Sequence, residues 1–385
     1  MRLAHFGTFD VDNYGDLLFP LLAEWRLPEV DWVHVSPRGG RPRFLDAADP
    51  ICFDDVGRQP VDAVVVGGGN IVHLRRTSLA TYVGLARTAY PSLSLGAAHL
   101  AATRGVPLLI NGPSVRKCNL GVVEKILLRQ FFKNSTYAAM RDLYSVEVMQ
   151  ALAGMPCQMI PDTAFDISRM WPVPKQSASG KYIVVHVNHR YGGDSESAAK
   201  AIDKIAKRSG CEVRFLPIGP CHGDLEYMHE IIRKMSSVGR PVVKLSLRGF
   251  AAEIANSQAY IGSSMHGFIT AVSYGVPSLL VLDKHPMEKF SGLLCTLNAP
   301  SDIACESWEY AARRIQDAWK PSDIVYAKLF GALDAHWEQM RLTVLGESRG
   351  AITKKMPTSW KALARAAQFE VLIRQGFSWL NRKFF

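Results

Sequence analysis

The sequence predicts an α/β protein with two doubly wound, Rossmann-like domains that face a cleft. Three observations lead to this prediction. Short apolar runs alternate with amphipathic stretches, as they do in βαβ units. The runs are apolar throughout, which is typical of parallel strands covered on both faces. The pattern pauses at a segment rich in Pro and Ser, residues 171–181, and then starts again, so we interpret this segment as a linker.

The composition supports a large globular core. The chain has 385 residues, of which 48% are hydrophobic and 21% are charged, and this excludes a mostly disordered protein. No apolar run reaches the ~20 residues that span a bilayer, and the N-terminus lacks the apolar segment of a secretory signal. The seven cysteines show no metal-ligand spacing. We therefore expect a cytoplasmic protein with free thiols, no metal and no cofactor.

The two domains are predicted from their strands and helices in order. In the first domain, residues 1–170, strands are expected in RLAHFGTF, WVHVS, VDAVVVGGG, VPLLING, TYAAMR and PCQMIPD, with helical segments in 79–104 and 119–133. In the second domain, residues 182–305, strands are expected in KYIVVHVNH, CEVRFLPIG, PVVKLS, QAYIGS and VPSLLVLD, with helices through 195–209, 224–235 and His266–Tyr274. Ligands of such sheets bind at the carboxyl ends of strands.

The C-terminal part is predicted as helices over 306–350 followed by a basic amphipathic tail over 351–385. The net charge is +10, and the tail carries +6 of it through seven basic residues and the acid Glu370. The body is only mildly basic, so no nucleic-acid partner is expected. The tail has two interpretations: a helix lying on the anionic inner face of a membrane, or a helix packing across the domains. Gly376 interrupts the amphipathic pattern and weakens the first.

Two turns in the first domain carry polar or glycine-rich groups at predicted strand ends. Asn13 and Asp16 stand between the first strand and a helix, where they either cap the helix or line the cleft for an anion or a sugar hydroxyl. The second turn follows VVV and contains Gly68, Gly69 and Asn70. It is either a tight turn or a backbone cradle for a substrate.

The segment YIGSSMHG in the second domain is the sharpest local signal. A strand ends at Gly262 and a helix begins near His266, so this histidine is expected at the cleft. The helix N-terminus favours the neutral ring until an anion binds, after which His266 could act as a general acid. A lone histidine is more often structural, and Ser263 and Ser264 could serve only as helix caps.

Three further charged residues follow predicted strands: Arg141, Asp162 and Lys284. Each alone is typical of a surface charge or an ion-pair partner. Together with His266 they place charged groups, mostly cationic, around one cleft, which would suit a small, highly charged anion.

Read in order, the segments GTFDVDNYGDLLFPLL, VVVGGGNI, AAMRDLYSVEVMQAL, MIPDTAF, FLPIGPCHGD and YIGSSMHGFITAVSYGVPSLLV resemble the polysaccharide pyruvyltransferase family over about residues 3–290. The resemblance implies a GT-B-like fold. It also implies an enzyme of cell-surface or exopolysaccharide biosynthesis that transfers the enolpyruvyl unit of phosphoenolpyruvate to a sugar, or to a lipid-linked oligosaccharide, as a ketal. Phosphoenolpyruvate would be a co-substrate, and no cofactor is implied.

The resemblance also implies roles for individual residues. His266 matches the family's proposed general acid, Arg141 matches a donor-binding arginine, and Lys284 matches a donor-binding lysine, for which Lys289 competes. Asp16 is our choice of catalytic base. The expected donor-binding set is Arg141, Lys284, Ser263, Ser264, Gly68, Gly69 and Asn70, and the expected acceptor-binding set is Asn13, Tyr14 and Asp162.

One departure from the family leaves alternatives open. Many members have Ser-Arg-Leu-His where this chain has Ser-Ser-Met-His ending at His266, so the arginine is absent and one donor contact is left open. Arg190 or Arg248 could replace it, or the chain could be a non-catalytic assembly subunit. A GT-B glycosyltransferase using a nucleotide sugar is a third interpretation. It needs a nucleotide site in the second domain, typically with a glutamate on the helix that reads GFITAVSYGVP here, and this helix has no acidic residue.

Overall fold

The fold is described from a computed structural model. The structure describes residues 1–174, 181–190, 192–282, 288–346 and 356–384, excluding the side chains of 288, 289 and 374–384. Residues 175–180 of the expected linker lie outside this part.

The first sheet contains seven parallel strands in the order β3-β2-β1-β4-β5-β6-β7. The strands are β1 (Arg2–Phe6), β2 (Asp31–Ser36), β3 (Ile51–Cys52), β4 (Ala63–Gly67), β5 (Leu108–Asn111), β6 (Tyr137–Met140) and β7 (Gln158–Met159). The helices are α1 (Tyr14–Arg26), α2 (Phe53–Val56), α3 (Ala89–Pro91), α4 (Ala97–Arg104), α5 (Val122–Lys133), α6 (Leu143–Ala153) and α7 (Ile167–Met170). The central strand β4 is buried along its whole length, as a sheet covered on both faces requires.

The second sheet contains six parallel strands in the order β10-β9-β8-β11-β12-β13. The strands are β8 (Tyr182–His186), β9 (Glu212–Phe215), β10 (Gly239–Pro241), β11 (Tyr260–Gly262), β12 (Ser278–Val281) and β13 (Ala304–Cys305). The helices are α8 (Ser195–Ser209), α9 (Asp224–Lys234), α10 (Leu247–Ala255), α11 (Met265–Ser273), α12 (Glu288–Thr296) and α13 (Trp308–Arg314). The strand order reverses beside β1 and beside β8, so each sheet is doubly wound and has a switch point there. The predicted fold class is confirmed.

Two helices at the C-terminus return to the first domain. Helix α14 (Asp323–Leu345) is held there by His336, whose Nδ1 lies 2.8 Å from the Tyr137 hydroxyl and whose Nε2 lies 2.7 Å from Oδ1 of Asn111. Helix α15 (Trp360–Phe384) packs its first half on the same domain, with the buried side chains Trp360, Ala364 and Ala367. The first half of the tail is therefore a packed helix, but it packs on the first domain and not across the two domains as the packing interpretation expected.

Two predicted elements differ from the structure. The strand expected in PVVKLS ends at Pro241, the last residue of the edge strand β10. After this residue the chain turns towards the first domain, where the Leu245 carbonyl accepts a bond from the Leu45 N–H. The helical stretch expected over 79–104 is divided into a 3₁₀ turn (Ala80–Tyr82), α3, a π-helix (Ser92–Gly96) and α4. Gly84, with φ +85°, separates the first turn from the rest.

The domains contact each other directly along α1 and α11. The N–H of Tyr14 donates a 2.8 Å bond to the Ile218 carbonyl, and its hydroxyl lies 3.1 Å from Oγ1 of Thr270. On the other side of the interface, Asp46 accepts bonds from the N–H groups of Leu247 and Arg248 at the start of α10. These contacts join the second domain to the first at both ends of the interface.

The packing of α15 predicts that this helix is part of the folded unit. The Trp360 side chain is 3% exposed and meets the Phe53 ring at a centroid distance of 5.5 Å. Trp360→Ala should lower the free energy of unfolding by about 3–5 kcal/mol. Phe369→Ala, at a side chain that is 64% exposed, should change it by no more than about 0.5 kcal/mol. Denaturant unfolding measures the free energy of unfolding of both variants. An equal change in the two variants would show that α15 is not docked on the first domain.

Candidate active site

The candidate site lies where the carboxyl ends of strands from the two sheets meet. The segments after β1, β4, β6 and β7 come from the first domain, and the segment after β11 comes from the second. The structure brings together five residues that the sequence analysis selected from separate segments: Asp16, Gly69, Arg141, Asp162 and His266.

A chain of charged groups crosses from one domain to the other. Nη1 of Arg141 donates a 2.6 Å hydrogen bond to Oδ2 of Asp162, and this oxygen lies 3.6 Å from Nε2 of His266, an ion-pair distance. Nε of Arg141 donates a second bond of 2.7 Å to Oγ of Ser114. The exposed fractions of the Arg141, Asp162 and His266 side chains are only 8%, 4% and 12%. Asp162 therefore joins the arginine of the first domain to the histidine of the second.

The ionisation of Asp162 is set by these partners. Burial alone raises the pKa of a carboxyl, but the Arg141 guanidinium and the His266 ring hold the pKa of Asp162 well below its ordinary value of 3.8. The backbone N–H of Ala164 adds a bond of 3.0 Å to Oδ1. Asp162 is thus a carboxylate at neutral pH.

The pKa of the Asp16 carboxyl group is shifted in the opposite direction to that of Asp162. Burial raises the pKa of Asp16 above its ordinary value of 3.8, and the nearby Asp162 charge adds to the rise. The charges of His266 and Arg141 lower the pKa, as does a hydrogen bond with Thr8, but they do not cancel the effect of burial. Two carboxyl groups with pKa values pushed apart are typical of a site that moves protons.

The His266 ring is positioned by packing against the start of α1. A Cβ on Gly15 would lie 1.8 Å from Nδ1 and 2.1 Å from Cγ of the ring, so only glycine leaves room for it. The Phe19 ring meets the imidazole edge-on at a centroid distance of 5.6 Å.

The glycine-rich turn after β4 lies at the edge of the same site. Gly68 and Gly69 have φ values of +74° and +72°, which favour glycine. Phe19 covers Gly68, where a Cβ would lie 2.1 Å from its ring, and a Cβ on Gly69 would lie 3.1 Å from Oδ1 of Asp16. Asn70 is exposed beside them. The turn has the geometry of a tight turn, and it also adjoins the predicted base.

Two helix N-termini meet at the site. Asn13 caps α1 by accepting a 3.2 Å bond from the Gly15 N–H, and Ser264 caps α11 by accepting a 3.2 Å bond from the Gly267 N–H. The capping roles considered for these two side chains are therefore present. Both helix ends carry partial positive charge, and with Arg141 they make the site suitable for an anion.

Two buried polar atoms of the site have no hydrogen-bond partner among the described residues: Oγ of Ser263 and Nε2 of His266. The Ser263 residue is 2% exposed. Since buried polar atoms are normally paired, both have bonding capacity left for a ligand.

The other predicted residues are either away from the candidate site or outside the described residues. Tyr14, expected on the acceptor side, is fully buried in the domain interface, because its hydroxyl is directed to Thr270. Lys284 and the side chain of Lys289 lie outside the described residues. Arg190 and Arg248, considered as replacements for the missing arginine, are both exposed.

Four residues of the site were missed by the sequence analysis: Thr8, Gly15, Phe19 and Ser114. Ser114 follows β5 and stands at a carboxyl strand end like the residues that were found, so its position was a usable signal. The role of Gly15 and Phe19 depends on contact with the other domain, which no local pattern shows.

Within the described residues, no group of three or more His, Cys, Asp or Glu side chains is arranged to hold a metal ion. None of the helices described combines the length and hydropathy needed to cross a bilayer.

The family model for polysaccharide pyruvyl transferase matches residues 13–285, which is more than half of the chain. The chain belongs to the polysaccharide pyruvyl transferase family. The match includes Asn13, Asp16, Arg141, Asp162 and His266. A sequence comparison with curated proteins finds no significant match.

Solved structures similar to this transferase share its two-sheet, GT-B-like fold. A putative UDP-N-acetylglucosamine 2-epimerase from Listeria monocytogenes is 13% identical with a TM-score of 0.55, covering 88% of this chain and 96% of that one. UDP-GlcNAc 2-epimerase from Neisseria meningitidis, bound to UDP-GlcNAc, is 12% identical with a TM-score of 0.52, covering 97% of this chain and 100% of that one. At these identities the likeness shows the fold alone.

The close contact at Gly15 generates a prediction about His266. Gly15→Ala should retain the fold, since alanine is favourable in a helix, but its Cβ must displace the imidazole. Turnover should fall by about 10²-fold, the cost of a small misplacement of a catalytic group. Gly331→Ala in α14 is the matched control, because a Cβ there meets nothing within 4 Å. Equal turnover in the two variants would contradict the predicted role of this contact.

The Asp162 ion pair generates a prediction about stability. Asp162→Asn leaves the Arg141 charge buried without its partner, so the free energy of unfolding should fall by about 3–5 kcal/mol at neutral pH. Because the pKa of Asp162 is lowered in the folded state, its contribution is complete above the ordinary value of 3.8 and is lost as the pH falls further.

The difference between wild type and Asp162→Asn should therefore shrink below about pH 4, as measured by urea unfolding at a series of pH values. Asp317→Asn, whose side chain is 68% exposed, is the control and should cost at most about 1 kcal/mol. A pH-independent difference would rule out the ion pair as its source.

Proposed function

We propose that this transferase uses phosphoenolpyruvate as the donor and forms a pyruvate ketal on a sugar that carries two suitably placed hydroxyl groups. The observation that carries the proposal is the Arg141–Asp162–His266 chain set between two helix N-termini. It combines cationic groups for an anionic donor with a histidine that can deliver a proton. Family membership supports pyruvyl transfer, and the donor and the acceptor are proposals.

The fit to an anionic donor follows from the unused bonding capacity of the site. Arg141 uses two of its N–H donors for Asp162 and Ser114, and a guanidinium has five. The remaining donors suit a phosphate or a carboxylate, which guanidinium groups bind by charge-assisted bonds. The unpaired hydroxyl of Ser263 offers a further contact beside His266.

In the proposed reaction, protonated His266 delivers a proton to the methylene carbon of phosphoenolpyruvate. The adjacent carbon becomes electrophilic and is attacked by a sugar hydroxyl, whose proton passes to Asp16. A second hydroxyl of the same sugar then displaces phosphate and closes the ketal, and its proton leaves with the phosphate. One proton is added to carbon and two are released from hydroxyls, so the steps balance.

Asp162 has a positioning role in this scheme rather than the acceptor-binding role suggested by the resemblance. Its carboxylate orients the Arg141 guanidinium and lies 3.6 Å from Nε2 of His266. Since His266 and Asp162 are almost fully buried, access for the donor requires the domains to move apart at the Tyr14–Thr270 contact. Closure would then exclude water from the reacting groups.

The role of His266 is tested by turnover in D₂O with a soluble glycan acceptor. Wild type should release phosphate and incorporate one solvent deuterium into the ketal methyl group, detected by mass spectrometry. His266→Gln should lower the rate by about 10²–10⁴-fold, the usual value of a general acid, with an unchanged melting temperature. Unchanged turnover of the variant would contradict the assignment.

A separate prediction concerns Asp16. Because its pKa is raised in the folded state, the ionised side chain destabilises the protein, and this cost grows as the pH rises through the raised pKa. Asp16→Asn should therefore leave stability at pH 7 unchanged or higher while turnover falls by about 10²–10⁴-fold.

In wild type, turnover should decline on the acid side as Asp16 becomes protonated, at a pH above the ordinary 3.8. An Asp16→Asn variant with wild-type turnover and an unchanged pH profile would show that Asp16 is not the base.

A further inference from the structure

A second cationic site lies on the first domain, apart from the charged chain at His266. A cavity of about 350 Å³ is lined by Arg76, Gly84, Ala86, Arg87, Thr88 and Arg365. Three of these six residues are arginines, and none is acidic. The loop that carries the first five follows the glycine-rich turn at Gly68 and Gly69, and the sixth comes from α15.

The two walls of this cavity are fixed to each other. Nε2 of Gln368 on α15 donates bonds of 2.7 Å to the Leu74 carbonyl and 2.8 Å to the Arg87 carbonyl. The loop is closed by a 2.9 Å bond from the Thr77 N–H to the Ala86 carbonyl. Arg365 is therefore held beside the arginines of the loop by the same contacts that dock the helix.

The charges of Arg76, Arg87 and Arg365 are not neutralised within the described part of the chain, where none of them has an ion-pair partner. Neighbouring arginines such as Arg75 do have one, in this case Glu124 at 3.1 Å. Three like charges around one cavity repel each other unless an anion lies between them. Guanidinium groups in this number favour a phosphate, which they bind through paired hydrogen bonds.

Exposed apolar side chains flank the cavity on both walls. Val83, next to Gly84 on the loop, is 72% exposed. On α15, Phe369, Leu372 and Ile373 are 64%, 62% and 44% exposed. Their spacing of four, seven and eight residues after Arg365 places them on the helix face that lines the cavity. Cationic groups beside exposed apolar side chains are typical of a surface that lies on a membrane rather than one that binds a free phosphate.

We propose that Arg76, Arg87 and Arg365 bind the phosphate of a membrane-lipid headgroup, while Val83, Phe369, Leu372 and Ile373 enter the surrounding lipid. This gives the tail a defined membrane contact through the first half of α15. This proposal rests on the proposed function in one respect only: a lipid-linked glycan acceptor would be presented at the membrane surface. The binding can be measured whether or not turnover occurs.

The test is flotation of the full-length protein with vesicles of phosphatidylcholine alone or with added phosphatidylglycerol. Wild type should bind only the anionic vesicles. The triple variant Arg76→Gln, Arg87→Gln, Arg365→Gln should bind about 10²-fold more weakly. The matched control, Lys207→Gln, Arg233→Gln, Lys244→Gln, removes the same charge from exposed positions on the second domain and should bind nearly as wild type does.

Further arms separate the lipid from other sources of phosphate. Phe369→Ser with Leu372→Ser should weaken vesicle binding without changing the melting temperature. Calorimetry with inorganic pyrophosphate tests a soluble ligand. Pyrophosphate binding by wild type without vesicle binding would overturn the lipid assignment. Equal losses of vesicle binding in the two triple variants would also overturn it, as would unchanged vesicle binding in the arginine variant. Turnover on a soluble acceptor should be the same in the arginine variant and wild type, which separates this proposal from the catalytic one.

Discussion

The carboxylate of Asp162 is the group on which the rest of the site depends. It accepts a bond from Arg141 in its own domain and lies at ion-pair distance from His266 in the other. The three side chains are nearly buried, and the charges of Arg141 and Asp162 are tolerated there because they are paired with each other. The arrangement also separates two carboxyl groups by their surroundings: Asp162 stays ionised beside Arg141 and His266, while burial raises the pKa of Asp16.

The same site shows how a shared fold can carry a distinct chemistry. The epimerases of similar architecture act on a nucleotide sugar according to their names, and the likeness to this chain extends to the fold alone. In this chain the segments after β6, β7 and β11 supply an arginine, a buried carboxylate and a histidine at a helix start. Those groups point to a small anionic donor, and they carry the functional argument independently of the fold.

Much of this arrangement could be predicted from the sequence, since the carboxyl ends of parallel strands mark the site. Asp16, Arg141 and His266 were found because each follows a strand in its own segment. Gly15 and Phe19 were not found, because they position the ring of His266, which is some 250 residues away in the sequence.

Tyr14 was expected to meet the acceptor but is buried between the domains, where its hydroxyl meets Thr270. Nothing in the local sequence around Tyr14 shows this contact with the other domain. The amphipathic pattern of the tail identified a helix, but whether its apolar face meets protein or lipid depends on the surface below it. The structure shows Trp360 and Ala364 packed on the first domain and leaves Phe369 exposed.

Binding of phosphoenolpyruvate in the cleft at His266 can be measured by a thermal-shift titration. Phosphoenolpyruvate and UDP-GlcNAc are titrated in parallel against wild type and Arg141→Gln. A ligand at about 100 times its Kd adds about 2.7 kcal/mol to the free energy of unfolding, which gives a clear rise in melting temperature. We expect a rise with phosphoenolpyruvate that is lost in Arg141→Gln. A rise with UDP-GlcNAc alone would contradict it and favour a nucleotide-sugar enzyme.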